Sequence, residues 1–443
     1  MLNSLRVKHF PLLLVAITIS TILGCKTIKQ ETVKPLSVGT FLTDTTGSKL
    51  VDGGQVDLEN AKVWNIPLDQ KPQWLLYTTL NGQAVLVATL EDGSAKAWVN
   101  NGGEPHPLEL TFQSSGKHVT ETKNAFLLNS AVVPPVTFVK NSKVHIEVPP
   151  KDMSPHSVHA LLPKSGKTAY IRKDGALVIQ GNGTNSELMV NALPDARILV
   201  DQNDKIALYA APTNRYQHAV LGDDIESARL LVIETGTENK VVTTIELESP
   251  YVFEGLAPLW ADIHESEGRE LITTISHIDM GSYLAVYSEA GELLAKGPAI
   301  GTGNRWRHVI SADTKSNSIG VVSMPHGPGD VERYEMKDTT LEIAQANWTQ
   351  YTSHAMHSRN LGRGLGFHTP KGEFEMVLVN PTRDTIALHS MNPVEVIATA
   401  PVGGELISNI VGVVDAGGNT FLAVGSDSGI RIWQSAPNKI IPN

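Results

Sequence analysis

Apolar residues along this chain come in short β-branched runs separated by polar, glycine-bearing turns, and the period of the pattern is that of strands rather than helices. Four segments share one design: VLVATLEDGSAKAWV, AYIRKDGALVIQG, LAVYSEAGELLAKG and FLAVGSDSGIRIWQ each place a strand, a short turn ending in glycine, and a second strand. The glycines are Gly93, Gly175, Gly291 and Gly429. Each supplies the positive φ that a tight hairpin requires, so the pattern predicts four hairpins of one repeated unit.

A second signature runs from an apolar pair through an acidic or polar residue and a polar loop into another apolar strand. It occurs in ILVDQNDKIALYA, WADIHESEGRELITTI, ISADTKSNSIGVVSM, LGFHTPKGEFEMVLVN and VGVVDAGGNTFLAVGS. Its anchors, Asp201, Asp262, Asp313, His368 and Asp415, stand 61, 51, 55 and 47 residues apart, the length of a four-stranded blade with variable loops. With helical periodicity nearly absent, the expected fold is all-β: a single seven- or eight-bladed β-propeller of four-stranded antiparallel blades, whose radial closure shields the sheet edges. The pattern blurs between Asn100 and Pro155, which leaves the blade number at seven or eight. The last unit, Ser408 to Gln434, shows only three strands, and a strand within Lys62 to Leu68 is expected to complete it.

At the amino terminus Arg6 and Lys8 precede the apolar run PLLLVAITISTI, and Gly24 and Cys25 follow it. The run is far short of the roughly 20 residues that span a bilayer, so residues 1–24 are expected to be a signal peptide. The cleavage site resembles a bacterial lipobox, which implies that Cys25 carries lipid. Cys25 is the only cysteine in 443 residues, so it has no partner for an intramolecular disulfide and forms no thiolate metal cluster. Residues 25–45 then comprise the lipidated cysteine and a polar tether, and residues 46–443 the propeller. Acyl chains attach such a body to a membrane, and Lys26, where an aspartate would signal inner-membrane retention, implies the outer membrane of the bacterial envelope.

Charge narrows the partners. The chain has a formal net charge of −10, with 19% charged and 41% hydrophobic residues. That is the balance of an acidic globular protein and excludes a basic nucleic-acid binder.

The loop WADIHESEGRELI resembles the FG-GAP or VCBS repeat of integrin-α-like β-propellers, and the stretch from Val200 to Gln434 is similar to bacterial propeller proteins built of such repeats. The resemblance implies the propeller fold and, where the repeat loop is rich enough in acids, calcium. Here the loop offers Asp262, His264 and Ser266 in place of three acids, with Glu270 further on. That set is thin for a cation that takes only oxygen ligands, so no cofactor is expected. Each loop aspartate is instead expected to accept backbone hydrogen bonds inside its turn.

GNRWRHVISAD, Gly303 to Asp313, echoes TNRYQHAVLGDD, Thr213 to Asp224. Loops at one end of successive blades converge on the axis, so a motif at the same place in two blades brings Arg215, Tyr216 and His218 toward Arg305, Trp306, Arg307 and His308. MPHGPGD adds His326, and TSHAMHSRN adds His354, His357 and Arg359. The expected result is a cationic funnel. Arginine forks suit carboxylates or phosphates, and Tyr216 and Trp306 suit stacking on a sugar ring, so the ligand class is an anionic glycan or a protein partner.

The same residues also serve a second reading, as polar pegs that tie blade to blade, with Asp223 and Glu254 as internal partners. Zinc on His308, His326 and His354 would require all three within about 2.0 to 2.1 Å of one point, and neither HxH nor HExxH spacing supports it. No GxSxG elbow and no phosphate loop is present. The chain is therefore expected to be a membrane-tethered binding or protein-assembly module rather than an enzyme. The alternative is a propeller lyase or hydrolase acting on envelope or extracellular polysaccharide, which needs a carboxylate pair or an Arg-His pair across a cleft.

Overall fold

Each β-branched run forms a strand, and its glycine or aspartate turn folds it back on the next. The computed structural model describes residues 38–39, 49–114, 117–118, 136–140, 143–147, 149–181, 183–263 and 268–437. Residues 1–24, read as a signal peptide, Cys25, and His264 and Ser266 of the acidic loop lie outside them. Among the described residues the strands fall into eight units, spanning 72–108, 110–147, 160–189, 199–246, 259–296, 307–351, 364–401 and 406–435. The fourth to sixth units are hydrogen-bonded into one larger sheet through Val252–Phe253 and a single parallel pairing of Lys296 with Thr340. The second unit breaks the meander: Lys143–Glu147 runs parallel to Leu110–Ser114, and Val38–Gly39, from the segment read as tether, pairs with Val136–Lys140. This irregular order falls in the stretch between Asn100 and Pro155, where the sequence pattern blurs.

Within a regular unit the early strands are buried and the fourth faces solvent, as the all-buried Thr168–Ile171 and the exposed Thr184–Met189 show. Apolar clusters bridge neighbouring units. One joins the first five through Trp74, Ile146, Ile171, Leu208 and Trp260. Others join Val286 to Val321, Ile310 to Met376, and Phe367 to Trp433. A further cluster packs Leu75 and Leu86 of the first unit against Phe421 and Ile432 of the last.

Two devices bind the last unit to the amino-terminal part of the chain. Lys62–Ile66 pairs antiparallel with Gly429–Ser435, Val63 opposite Trp433, and supplies the expected fourth strand. The buried Asn409 side chain accepts the Leu75 N–H through Oδ1 at 2.8 Å and donates through Nδ2 to the Leu75 carbonyl at 2.9 Å. One amide thus takes the place of a strand partner between the first strands of two units.

Turn positions follow one rule with one departure. All five anchors, Asp201, Asp262, Asp313, His368 and Asp415, lie at the turn from first to second strand. Asp201 Oδ1 accepts the N–H groups of Asn203 and Lys205 at 2.8 and 2.7 Å, and Asp415 Oδ1 those of Gly417 and Asn419 at 2.8 and 2.9 Å. Gly93, Gly175 and Gly429 lie between second and third strands, whereas Gly291 lies between third and fourth. The four hairpins therefore share turn chemistry, with φ of +80°, +83°, +118° and +90° in that order, but not one place in the repeat.

Before reaching the last unit, the chain lays Leu50–Asp52 parallel to Gly364–His368, the first strand of the seventh unit, with Val51 opposite Phe367. This puts Lys49 at the end where the unit-to-unit connections gather.

Asn409→Ala leaves a buried N–H and a buried carbonyl of Leu75 without partners. We expect a loss of about 2 to 4 kcal/mol, read as a lower urea midpoint at unchanged m-value.

Candidate functional site

The two Asn-Arg-aromatic motifs are not at equivalent places. Thr213 to His218 follows a second strand, and Gly303 to His308 leads from the fifth unit into the first strand of the sixth. They still meet, because two antiparallel steps return the chain to the same end. The Asn304 N–H donates to Tyr216 Oη at 3.0 Å. His326 lies in a second-to-third connection and His354 to Arg359 in a unit-to-unit connection, so all the candidate residues gather at this end.

Six of them form one continuous row of rings. Centroid separations are 5.8 Å from Tyr216 to His218, 5.8 Å from His218 to His326, 6.4 Å from His326 to His354, 5.2 Å from His354 to Trp306, and 4.9 Å from Trp306 to His308. The Trp306 indole, stacked on His308 at 24° and edge-on to His354 at 81°, stands between the two imidazoles. Among the described residues no three His, Cys, Asp or Glu side chains gather as metal ligands.

The row is closed rather than open. Tyr216 and Trp306 are 0% and 2% exposed, so neither offers a ring face to a sugar. Trp306 packs on Val220, Leu221 and Leu256. His218 Nδ1 meets Glu254 Oε1 at 2.5 Å, and Glu254 Oε2 accepts the Ser276 hydroxyl. His308 Nδ1 is 2.8 Å from Ser353 Oγ, and its Nε2 faces Lys49 Nζ at 3.4 Å. His354 Nε2 reaches the Ser358 carbonyl at 2.7 Å.

The arginines also find internal partners. Arg215 donates to the Leu247 carbonyl at 2.9 Å and to that of Tyr251. Arg307 is paired with Glu332 at 3.1 Å and is buried. Arg359 bridges Asp195 at 2.8 Å and Asp223 at 2.5 Å. The pairing expected of Asp223 is thus present, while Glu254 takes His218 in place of an arginine. Arg305 stays exposed, and His357 is held by its Nδ1 contact to the Ala219 carbonyl at 3.0 Å.

Burial sets the charge states. It holds His354 at about 3 and, helped by Lys49, His308 well below the usual imidazole value. It brings the Lys49 ammonium down to about 7, and among the described residues Nζ meets the Leu361 carbonyl at 2.5 Å and His308 at 3.4 Å. Glu226, fully buried beside the field of Glu254, is raised well above the usual carboxyl value. Lys49, Arg197, Glu254, Trp306 and His308 line a cavity of about 60 Å³, room for a few water molecules.

Lys49, Asp195, Arg197, Glu226 and Arg363 are among the polar groups of this end that the motifs did not disclose. The one signal near Arg363 is its setting, LGRGLG, between two glycines at the end of the histidine-rich loop.

No family model and no curated protein matches the chain. Among solved structures it is similar to a europium-containing methanol dehydrogenase, with a TM-score of 0.54 at 8% identity over 90% of this chain and 98% of that one. It is also similar to Saccharomyces cerevisiae Sqt1, with a TM-score of 0.51 at 10% identity over 85% of this chain and 99% of that one. The fold is a β-propeller. At such identities the likeness carries the fold alone, and the units described above are its blades.

The buried histidines give the propeller an acid-sensitive stability. His159, held at about 3, His354, at about 3, and His389, at about 4, stay neutral in the folded chain while the unfolded chain protonates below about 6.5. Stability is therefore full above that value and falls by about 1.4 kcal/mol per pH unit for each such histidine as pH drops. Glu226 and Glu375, raised by burial, act in the opposite sense but are fewer. Urea midpoints are expected to fall from pH 6.5 to 4.5. His159→Phe, at a site where neither ring nitrogen has a hydrogen-bond partner, is expected to flatten the slope.

Proposed function

We propose that this chain is a membrane-tethered β-propeller of the bacterial envelope that binds an anionic ligand and catalyses no reaction on it. One observation supports the reading above the others: most of the groups in the ring row able to act as acid, base or stacking platform are engaged or sealed inside the fold. His218 is engaged by Glu254, His308 by Ser353 and Lys49, and Arg307 by Glu332, while Tyr216 and Trp306 are sealed by packing. A lyase or hydrolase needs at least one acid-base pair facing a cleft large enough for its substrate, and the cavity beside these groups is about 60 Å³. What remains at this end is a rigid hub presenting loops, the form in which a scaffold places recognition groups. The tether is assigned to Cys25, on the resemblance of its surroundings to a lipobox.

Two measurements test the reading. Cys25→Ser is expected to move the full chain from the membrane to the soluble fraction and to abolish incorporation of labelled palmitate. Retention in the membrane overturns the tether. In native gels containing polygalacturonate, the wild-type chain is expected to be retarded without releasing reducing ends or unsaturated products. A chain of net charge −10 has no generic attraction for a polyanion, so retardation reports a specific site. Unretarded migration overturns the binding reading, and product release overturns the statement that no reaction is catalysed.

A further inference from the structure

Arg363 sits where the backbone is pressed against two neighbours. A Cβ on Gly362 would stand 2.7 Å from Asn409 Cβ, and one on Gly364 would stand 2.9 Å from Ile310 Cγ2, so only glycine fits on either side. The arginine between them is carried inward and is 7% exposed. Its Nη2 donates to the Ile407 carbonyl at 3.2 Å, but Nε and Nη1 make no hydrogen bond. Glu405, whose field reaches it, is held by Arg383. A buried guanidinium without a counter-charge is costly to the folded state.

A surface cavity of about 280 Å³ lies beside it, lined by Gln73, His357, Ser358, Arg359, Asn360 and Arg363, with Trp74 and Ile407. Among the described residues no aspartate or glutamate lines it. In a chain with ten more acids than bases, two arginines and no acid around one cavity is a distinct local composition. The two differ in kind, for Arg359 is neutralised by Asp195 and Asp223, which leaves Arg363 as the uncompensated charge of the cavity wall.

We infer that this cavity is the receptor for a small oxyanion, a carboxylate or a phosphate, with Arg363 as its charge partner and Gln73, Ser358 and Asn360 as neutral hydrogen-bonding neighbours. The inference rests on the binding-module reading and names where an anionic group sits. The ligand shares the cavity with the loop that carries His354 and Arg359, so its binding stiffens the connection between the sixth and seventh blades.

Thermal unfolding of the full chain in detergent tests it, with phosphate or acetate titrated against chloride at matched ionic strength. Phosphate, acetate or both are expected to raise the wild-type Tm along a saturating curve in the millimolar range, and the arm that responds separates a phosphate ligand from a carboxylate one. Arg363→Met is expected to start from a Tm no lower than wild type, because it removes an unpaired buried charge, and to show no anion-specific rise. Arg363→Lys is expected to weaken the response at least tenfold by losing the planar fork, and Arg305→Ala to keep it. An absent wild-type response, or an undiminished one in Arg363→Met, overturns the inference. That failure leaves polygalacturonate retardation as a separate measure of the module itself.

Discussion

Antiparallel pairing is the constraint on which the arrangement of this propeller depends. In a unit whose strands alternate in direction, each connection after an even number of strands emerges at one end, and each after an odd number at the other. The aspartate anchors, all after first strands, are confined to one end. The loops bearing Tyr216, His326, Trp306 and His354 are confined to the opposite one, although they come from two different kinds of connection. No contact between the loops is needed to bring them together. Contacts such as the Asn304 bond to Tyr216 then select one geometry from those that this shared end permits.

Charge is handled at this end by burying cations against carbonyl oxygen as much as against carboxylates. Arg197 donates to the carbonyls of His156, Asp195 and Arg359 at 2.6, 2.8 and 3.1 Å, and so clamps the connection before the third blade, the one between the third and fourth, and the one between the sixth and seventh. Arg215 and Lys49 do the same with one or two carbonyls each. Carbonyls satisfy a cation's donors without cancelling its charge. Burial then disfavours the charged forms of Lys49 and His308, the second helped by the charge of the first.

Strands, turns and the closing segment were legible because each depends on neighbours in sequence. Positive-φ glycines announce hairpins, a period-two apolar run announces a strand, and three strands at the carboxyl end announce that a fourth comes from elsewhere, which Lys62–Ile66 supplies. Gly291 shows the limit: a turn's chemistry does not say which pair of strands it joins. The row of rings was legible as a gathering of residues, with a ligand site and a set of internal pegs as its two readings; the choice between them depends on Leu256 and Glu254 from other loops. Lys49 and Arg363 were illegible for the same reason. Neither lies in a motif, and their unusual state comes from what fails to stand beside them, a property of packing alone.

The strand that completes the eighth blade has a consequence for how the molecule comes into being. Trp64 and Gln434, whose side chains meet at 3.4 Å in that blade, are 370 positions apart. A nascent chain therefore carries Lys62–Ile66 as a β-prone segment without this partner until Gly429–Ser435 emerges. Blades in between can form as their residues emerge, but the last one waits until Gly429–Ser435 has been made. Any factor that shields that early edge would act before the eighth unit has its fourth strand.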